Sequence, residues 1–182
     1  MQTTRARGLW LALGAAAIIV AGVLAFALTT GGSEEHSHGT DHGPLGPTPE
    51  SAEAGAAAKY ALTAMFSWQP ATDASPGAGL TRAAPWLTGH LAAEAAAPPA
   101  TGIRPLAEWA GWRAAGDIVT ALVTVTATSP PTGGQATAAA QVRQLVQHRD
   151  NTTSTPWRDL TVTATLTETP EGWRLSSYTV TG

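Results

Sequence analysis

The sequence contains no cysteine among its 182 residues. This absence excludes disulfide bonds, a thiolate nucleophile, zinc sites built on cysteine and a lipid-modified cysteine as a membrane anchor. The fold therefore has to be stabilised by the burial of apolar side chains rather than by covalent cross-links.

Charge is also scarce, since 13% of the residues are Asp, Glu, Lys or Arg, about half the share that is usual for a soluble domain. The positive charges are nine arginines and a single lysine, Lys59, spread along the chain without a cluster. The formal net charge is -3, and the chain offers no basic face for nucleic acid. We therefore expect no nucleic-acid partner.

One long segment of the chain is apolar and free of charge. No ionisable side chain occurs from Gly8 to Ser33, and the twenty residues from Leu9 to Leu28 are apolar apart from glycines. At about 1.5 Å per residue, a helix of that length spans about 30 Å, which is the hydrocarbon thickness of a bilayer. The pattern predicts a transmembrane helix over residues 8–29.

The charges that flank this segment predict its orientation. Arg5 and Arg7 precede it, and Glu34 and Glu35 follow it. The positive-inside bias then places residues 1–7 in the cytoplasm and the rest of the chain outside. We expect a single-pass protein of the cell membrane with an extracytoplasmic C-terminal domain.

A cleaved signal peptide is the alternative interpretation of the same segment. Ala25-Phe26-Ala27 offers the small-x-small pattern that signal peptidases accept. The apolar run is longer than the roughly 7 to 15 residues of a typical signal-peptide core, which favours a retained anchor. Both interpretations export the C-terminal part.

Residues 30–48 are rich in Gly, Pro, Ser and His and contain almost no large apolar side chain. This composition predicts a disordered linker. The linker carries side chains that are borderline ligands for zinc, copper or nickel, namely Glu34, Glu35, His36, His38, Asp41 and His42. Because a flexible strip does not hold ligands at fixed geometry, we favour a solvated tether over a metal site.

Residues 49–182 have the pattern of a folded domain, which opens with a helix signal. Thr48-Pro49-Glu50 supplies an N-cap hydroxyl, a proline at the first helical position and an acid in the first turn. Apolar residues then recur at three- and four-residue steps until Gln69-Pro70 ends the helix near Trp68.

Two more helices are expected before the strands. Ser75-Pro76 opens the second, Pro85 breaks or kinks it, and it continues from Trp86 through Ala97. A short third helix is expected from Arg104 to about Trp112.

After Gly116 the apolar periodicity changes from helical to alternating, which predicts strands. We expect strands over about residues 119–128, 136–148, 160–167 and 173–181, with a polar turn over residues 150–156. Consecutive strands joined by short turns predict an antiparallel meander. Because helices come first and strands follow, the predicted class is α+β, with about three helices on one face of a four-stranded sheet.

Threonines occupy alternate positions of two predicted strands, opposite the apolar positions: Thr120, Thr124, Thr126 and Thr128, then Thr161, Thr163, Thr165 and Thr167. Threonine is favourable in strands, so one interpretation is a solvated outer face. The other is a docking surface, because a face with neither Lys nor Glu has a low desolvation cost. Both interpretations stay open.

Short motifs follow the predicted anchor and linker: Ala-Met-Phe-Ser-Trp at residues 64–68, Leu-Thr-Arg-Ala-Ala-Pro-Trp-Leu-Thr at residues 80–88, and Pro-Glu-Gly-Trp-Arg-Leu at residues 170–175. In layout and motifs the chain resembles actinobacterial single-pass membrane proteins with a nuclear-transport-factor-2-like domain. Two groups are similar: conjugal-transfer proteins of the bitopic type IV secretion assembly class, and membrane proteins associated with mammalian-cell-entry (Mce) lipid transporters.

The resemblance implies a curved sheet wrapped around helices to form a cone. It also implies scaffolding of a cell-envelope complex, through self-association and contacts with other envelope proteins, in conjugation or secretion or as a lipid-transport accessory. The family offers no catalytic residues. We therefore expect no catalytic, cofactor-binding or metal-binding residues and no cofactor.

Four titratable residues of the domain are the candidates for enzymatic chemistry: Asp73, His90, Asp117 and His148. Trp86, His90 and Glu94 recur at four-residue steps, and a histidine held by a glutamate is a candidate base. Such a pair on a helix surface is more often a solvent-side contact, and the other candidates adjoin turns. The sequence therefore does not favour an enzyme.

The tryptophans offer a further alternative to scaffolding. A pocket lined by Trp68, Trp86, Trp109 and Trp112 would hold a small apolar ligand.

Overall fold

The computed structural model of the protein describes residues 46–98, 106–150 and 152–181. The predicted cytoplasmic segment, the predicted transmembrane helix and most of the predicted linker lie outside the described residues. Within the described ranges, no helix has both the length and the apolar character that crossing a bilayer requires.

Helices precede the sheet along the chain, as the sequence predicted. The described part contains α1 (Ala54–Phe66), α2 (Ala78–Ala83), a 3-10 helix (Ala84–Trp86), α3 (Gly89–Ala96) and α4 (Trp109–Ala115).

The first predicted helix begins later than its sequence signal. The Ser51 amide donates to the Thr48 carbonyl at 3.1 Å and closes a separate turn, and α1 begins at Ala54. Arg174 of the last strand donates to the Pro49 carbonyl at 2.7 Å, so a distant residue holds this turn. The predicted N-cap at Thr48 is wrong because a tertiary contact outweighs a local capping signal.

The second predicted helix is interrupted at the expected proline. Pro85 lies in the 3-10 helix, and the chain is extended at Leu87 and Thr88 before α3 begins at Gly89. The predicted break is confirmed. The continuation predicted from Trp86 through Ala97 is present as α3 but begins at Gly89, because Leu87 forms a parallel bridge with Leu175 instead.

The sheet consists of β1 (Ile118–Thr128), β2 (Gln135–Gln147), β3 (Ser154–Thr169) and β4 (Gly172–Thr181). Strands that follow one another in the chain are neighbours in the sheet, in the order β1-β2-β3-β4, and all pairs are antiparallel. The predicted α+β class and the predicted meander are confirmed.

One strand is longer than predicted, since β3 begins inside the expected turn of residues 150–156. Pro156 lies in this part and pairs with Leu145 beside a register shift. Because β4 pairs with β3 only from Thr161 onward, the start of β3 borders a single strand. A proline, which lacks an N–H group, is tolerated at such an edge.

Alanines form the contact between α1 and the sheet. Ala57, Ala58 and Ala61 are fully buried in the same apolar cluster as Val162, and their small side chains let the helix approach the strands closely. A Cβ on Gly79 of α2 would lie 2.3 Å from the Met65 carbonyl oxygen, so α2 also approaches α1 more closely than a larger residue permits. Small residues at these four positions are thus a packing requirement.

A second apolar cluster lies beside the first residues of β1. It contains Trp68, Trp109, Trp112, Val119 and Val146 as buried members, with Trp157 packed against them. Trp157 meets Trp112 edge to face at a centroid distance of 4.8 Å.

Candidate interaction surface

Threonine rows cover the face of the sheet that lies opposite the helices, which we call the outer face. Residues paired directly across antiparallel strands project from the same face. Two rows of the register on this face are Thr124, Gln141, Thr161 and Thr181, and Ala139, Thr163 and Thr179. The neighbouring positions Ala138, Ala140, Val162 and Ala164 are buried beneath the helices.

Thr128 is the exception to the predicted outer face. Thr126 is an extra residue at a register shift in β1, and Thr128 consequently pairs with the fully buried Ala138. A Cβ on Gly55 of α1 would lie 2.9 Å from the Thr128 Oγ1 atom, so Thr128 faces the helices. The predicted outward orientation of Thr128 is wrong because a bulge reverses the alternation of side chains.

An apolar side chain interrupts the threonine rows. Leu122 is 51% exposed and lies in a shallow hollow of about 570 Å³, lined also by Thr124, Gln141, Arg143 and Asp159. Full burial of a leucine side chain is worth about 1.5–3 kcal/mol relative to exposure. The alternation of β1 already placed Leu122 on this face, so the sequence contained a signal that our prediction overlooked.

An ion pair borders Leu122 in the same hollow. The Arg143 Nε atom donates to Asp159 Oδ1 at 2.8 Å, although both side chains are largely exposed. This hydrogen bond raises the pKa of Arg143 above its usual value. An exposed pair of this kind contributes little to stability, but it gives the hollow a cationic donor and an anionic acceptor beside an apolar side chain.

The edge of β1 is closed by the chain that leaves α1. Trp68 and Val119 exchange two backbone hydrogen bonds, at 2.8 and 2.9 Å. Two residues further along β1, the Ala121 amide donates to the Ser67 hydroxyl at 3.0 Å. Both backbone groups of Val119 and the amide of Ala121 are therefore already occupied and not open to a partner.

Asp73, one of the candidates for enzymatic chemistry, has a structural position. Its side chain accepts a hydrogen bond from the Gln69 amide and another from Arg82, both at 2.7 Å. Arg82 also donates to the Ser67 carbonyl. Asp73 thus fixes the turn after α1.

His90 and Glu94 are both exposed on α3. The ion pairs among the described residues do not join them. Trp86 lies before α3 and stacks on Tyr60 at a centroid distance of 5.0 Å. The predicted shared helix face of Trp86, His90 and Glu94 does not form, because the helix is interrupted between Trp86 and His90.

Asp117 and His148, in contrast, lie together. The His148 Nδ1 atom is 3.3 Å from Asp117 Oδ2, and His148 Nε2 is 2.9 Å from the hydroxyl of Thr155. The Asp117 side chain is mostly buried, whereas the imidazole is partly exposed. These contacts join the residue before β1, the residue after β2 and the beginning of β3, so the group ties three strand ends together.

The tryptophans do not line a common pocket. Trp68, Trp109 and Trp112 are buried members of one cluster, whereas Trp86 packs against the other. Trp157, which the sequence analysis did not single out, fills the space between Trp68 and Trp112. The predicted four-tryptophan ligand pocket is wrong.

A groove of about 450 Å³ lies between the start of α2 and the end of α3. Its wall is mainly apolar and includes Ala78, Leu80, Ala97 and Pro98, with Arg82 and Glu94 at its border. The interruption at Pro85 separates the two helices that border this groove.

The candidate metal ligands of residues 34–42 lie outside the described residues. Over residues 46–98, 106–150 and 152–181, the side chains of His, Asp and Glu form no group of three that would hold a metal ion.

These features define the class of domain: an antiparallel four-stranded meander, covered on one face by short helices. No protein-family model and no curated protein matches the chain. Among solved structures, the VirB8 protein of Agrobacterium tumefaciens is similar at 15% identity, with a TM-score of 0.41, over 76% of this chain and 96% of that one.

Two further solved structures are similar to this chain. The periplasmic domain of DotI matches at 16% identity and a TM-score of 0.40, over 69% of this chain and 90% of that one. The intermembrane space region of the chloroplast protein ARC6 matches at 15% identity and a TM-score of 0.38, over 71% of this chain and 97% of that one. Similarity at this level does not assign the chain to a family.

Proposed function

We propose that the protein is a membrane-anchored, extracytoplasmic assembly component of a cell-envelope complex, and that this complex is conjugative or secretion machinery. The apolar segment of residues 8–29 and its flanking charges support the anchor and its orientation. The motifs at residues 64–68, 80–88 and 170–175 support the type of machinery. In this proposal the folded domain binds other envelope proteins and carries out no chemistry.

The observation that carries the proposal is the composition of the outer face. An exposed leucine lies among threonines, beside a single ion pair, in a hollow of about 570 Å³. Removal of the threonines and the leucine from water costs less desolvation than removal of Lys and Glu side chains would, and depletion of charge is a property of the central part of protein interfaces. A face that served solubility alone would carry more Lys and Glu.

The test of this proposal adds charge to the outer face. The double variant Thr163→Glu/Thr165→Glu places two carboxylates there, and we expect it to lose the envelope proteins that co-purify with the wild type from isolated membranes. The matched control is Ala110→Glu/Ala114→Glu, which adds the same charge to exposed positions of α4. Equal recovery of partners by both double variants would contradict the proposal.

The type of machinery has a separate test in the host cell. Deletion of the gene should lower the frequency of conjugal transfer, and the wild-type gene should restore it while Thr163→Glu/Thr165→Glu should not. An unchanged transfer frequency after deletion would remove conjugation from the proposal.

The absence of cysteine makes the proposed orientation directly measurable. A single-cysteine variant, Pro130→Cys, places a thiol in the exposed turn between β1 and β2. We expect a membrane-impermeant maleimide to label this variant in intact cells, whereas Thr4→Cys should be labelled only after lysis. The reverse pattern would show that the domain is inside the cell.

The groove beside α3 favours a second candidate function, a module that binds a small apolar ligand as a lipid-transport accessory would. Its mainly apolar wall and volume of about 450 Å³ suit such a ligand. Native mass spectrometry of the purified full-length protein should then detect bound lipid, which Ala97→Trp should displace by filling the groove. Retention of the lipid by Ala97→Trp would exclude the groove as its site.

A further inference from the structure

Within the described part of the chain, the outer edge of the last strand has backbone groups without hydrogen-bond partners. β4 is terminal in the strand order. Among the described residues, the backbone hydrogen bond that reaches it from outside the sheet is the one from the Thr88 amide to the Leu175 carbonyl, at 3.0 Å. The six residues that follow, 176–181, have no such partner in the described part of the chain.

The register identifies which groups point outward. The Glu168 amide of β3 donates to the carbonyl of Gly134, the residue before β2, at 2.8 Å. The backbone groups of Glu168 therefore point toward β2. Because successive residues of a strand alternate in direction, Thr163 directs its backbone groups toward β4, where it pairs with Thr179. The residues on either side of Thr179, Tyr178 and Val180, therefore direct their N–H and C=O groups away from the sheet.

The bond from Thr88 agrees with this assignment. Because the backbone groups of Glu168 point toward β2, those of Thr167 point toward β4, where Thr167 pairs with Arg174. The backbone groups of Leu175, the next residue of β4, then point outward, and its carbonyl accepts the hydrogen bond from the Thr88 amide. A register shift at Ser176 restores the outward direction at Tyr178.

The side chains next to these groups are apolar and partly exposed. Tyr178 and Val180 are 37% and 39% exposed, and their cross-strand partners, Ala164 and Val162, are fully buried on the helix face. The segment from residue 175 to 181 contains neither charge nor proline. It thus lacks the side chains that usually protect a strand edge from pairing.

A carboxylate lies on the helix that packs against this strand. Glu94 belongs to α3, and α3 is in contact with β4. Burial raises the pKa of Tyr178, and the charge of Glu94 raises it further. Within the described residues Glu94 takes part in no ion pair. It also borders the apolar groove between α2 and α3. A strand added to β4 would place its helix-side residues near this charge.

We propose that the edge of β4 at Tyr178 and Val180 binds an extended segment of a partner protein, with apolar side chains at alternate positions and a Lys or Arg that pairs with Glu94. Free N–H and C=O groups at two-residue spacing match an extended backbone. The alternate apolar residues continue the helix-side face of the sheet, and the cation neutralises the Glu94 carboxylate. This inference rests on the proposed function, because an assembly component needs a partner.

The test uses a synthetic probe of this pattern. Fluorescein-labelled Gly-Lys-Thr-Val-Thr-Val-Thr-Gly-amide is titrated with the purified full-length protein, and binding is followed by fluorescence anisotropy. We expect saturable binding, weakened about tenfold by Val180→Pro, which removes an outward N–H group. Val180→Thr, which keeps this group, is the matched control and should bind normally. A probe with proline in place of its first valine should not bind.

The charge of Glu94 has its own variant. Glu94→Lys replaces attraction by repulsion and should weaken binding about tenfold, whereas the control Glu108→Lys, at the residue before α4, should leave it unchanged. If Val180→Pro does not fold, as judged by circular dichroism, Glu94→Lys alone decides the test.

Two results would overturn the proposal. One is equal affinity of the probe for Val180→Pro and Val180→Thr. If Val180→Pro does not fold, equal affinity for Glu94→Lys and Glu108→Lys has the same meaning. The other is a β4 variant that changes self-association in sedimentation velocity and leaves probe binding intact, since the edge would then pair with a second copy. The outer-face variant Thr163→Glu/Thr165→Glu should bind the probe normally, so failure of the proposed function and failure of this inference are distinguishable.

Discussion

The two edges of the sheet differ in what lies against them. At the beginning of β1, Trp68 and Ser67 occupy the backbone groups of Val119 and Ala121. At the end of β4, the groups of Tyr178 and Val180 have no such partners in the described residues. The comparison teaches that the chain before the sheet closes the first part of the β1 edge with hydrogen bonds. Within the described residues, the backbone of that chain bonds to the backbone of β4 only at Leu175.

The residues around each edge explain the difference. The β1 edge lies against the tryptophan cluster, where burial of large aromatic rings favours a fixed position for Trp68. The β4 edge consists of serine, threonine, tyrosine and valine, with partial exposure throughout. We therefore expect substitutions at the two edges to have different consequences.

The largest expected effect is at the closed edge. Trp68 is 7% exposed, packs against Trp109 and Trp157, and donates from Nε1 to the Met65 carbonyl at 3.0 Å. Trp68→Ala should lower the free energy of unfolding by about 4 kcal/mol, measured by urea denaturation. Trp86→Ala is the control and should cost less, because Trp86 is only partly buried. Equal losses would mean that the cluster has no special role at this edge.

A smaller effect is expected from a single hydroxyl. Ser67→Ala leaves the Ala121 amide of β1 without its acceptor, which should cost about 1–2 kcal/mol because the amide is partly buried. Ser177→Ala changes the same side chain on β4 and should cost less than about 0.5 kcal/mol. The two variants are compared by their denaturation midpoints, and a reversed order would contradict the assignment of closed and open edges.

The sequence predicted the regular parts of this fold and missed its irregular contacts. The alternation of apolar residues with threonines, which begins at Val119 and again at Leu160, located two of the strands. This pattern depends only on neighbouring residues of one strand, so it is visible in the sequence. The bulge at Thr126, the strand residues before Leu160 and the turn at Thr48 depend on contacts with distant residues, such as that between Arg174 and Pro49.

The candidate surfaces were likewise predictable where they depend on local alternation. The threonines of the outer face were predicted from the alternation of the strands, and the same alternation places Leu122 on that face. The ion pair of Arg143 with Asp159 requires the register of β2 against β3, and the electrostatic effect of Glu94 on Tyr178 requires the position of α3. Neither interaction has a signal in the local sequence.

The smallest expected effect is on the titration of the open edge. Because burial and Glu94 raise the pKa of Tyr178 above its ordinary value of 10.0, the folded state binds this proton more tightly than the unfolded chain does. The phenol therefore contributes stability that is present below pH 10 and is lost as the pH rises through the folded-state pKa. Ultraviolet titration of the tyrosines should show Tyr178 ionising late, and earlier in Glu94→Gln. No change in Glu94→Gln would place the carboxylate out of reach of the ring.

Amide hydrogen exchange, resolved by nuclear magnetic resonance on the full-length protein, tests the inequality of the two edges most directly. It compares Val119 and Ala121 with Tyr178 and Val180 in one sample under identical conditions. The account predicts slow exchange for the Val119 and Ala121 amides and exchange near the rate of an unstructured chain for the other two. Equal protection of all four amides in the isolated protein would contradict it, since the edge of β4 would then already be occupied.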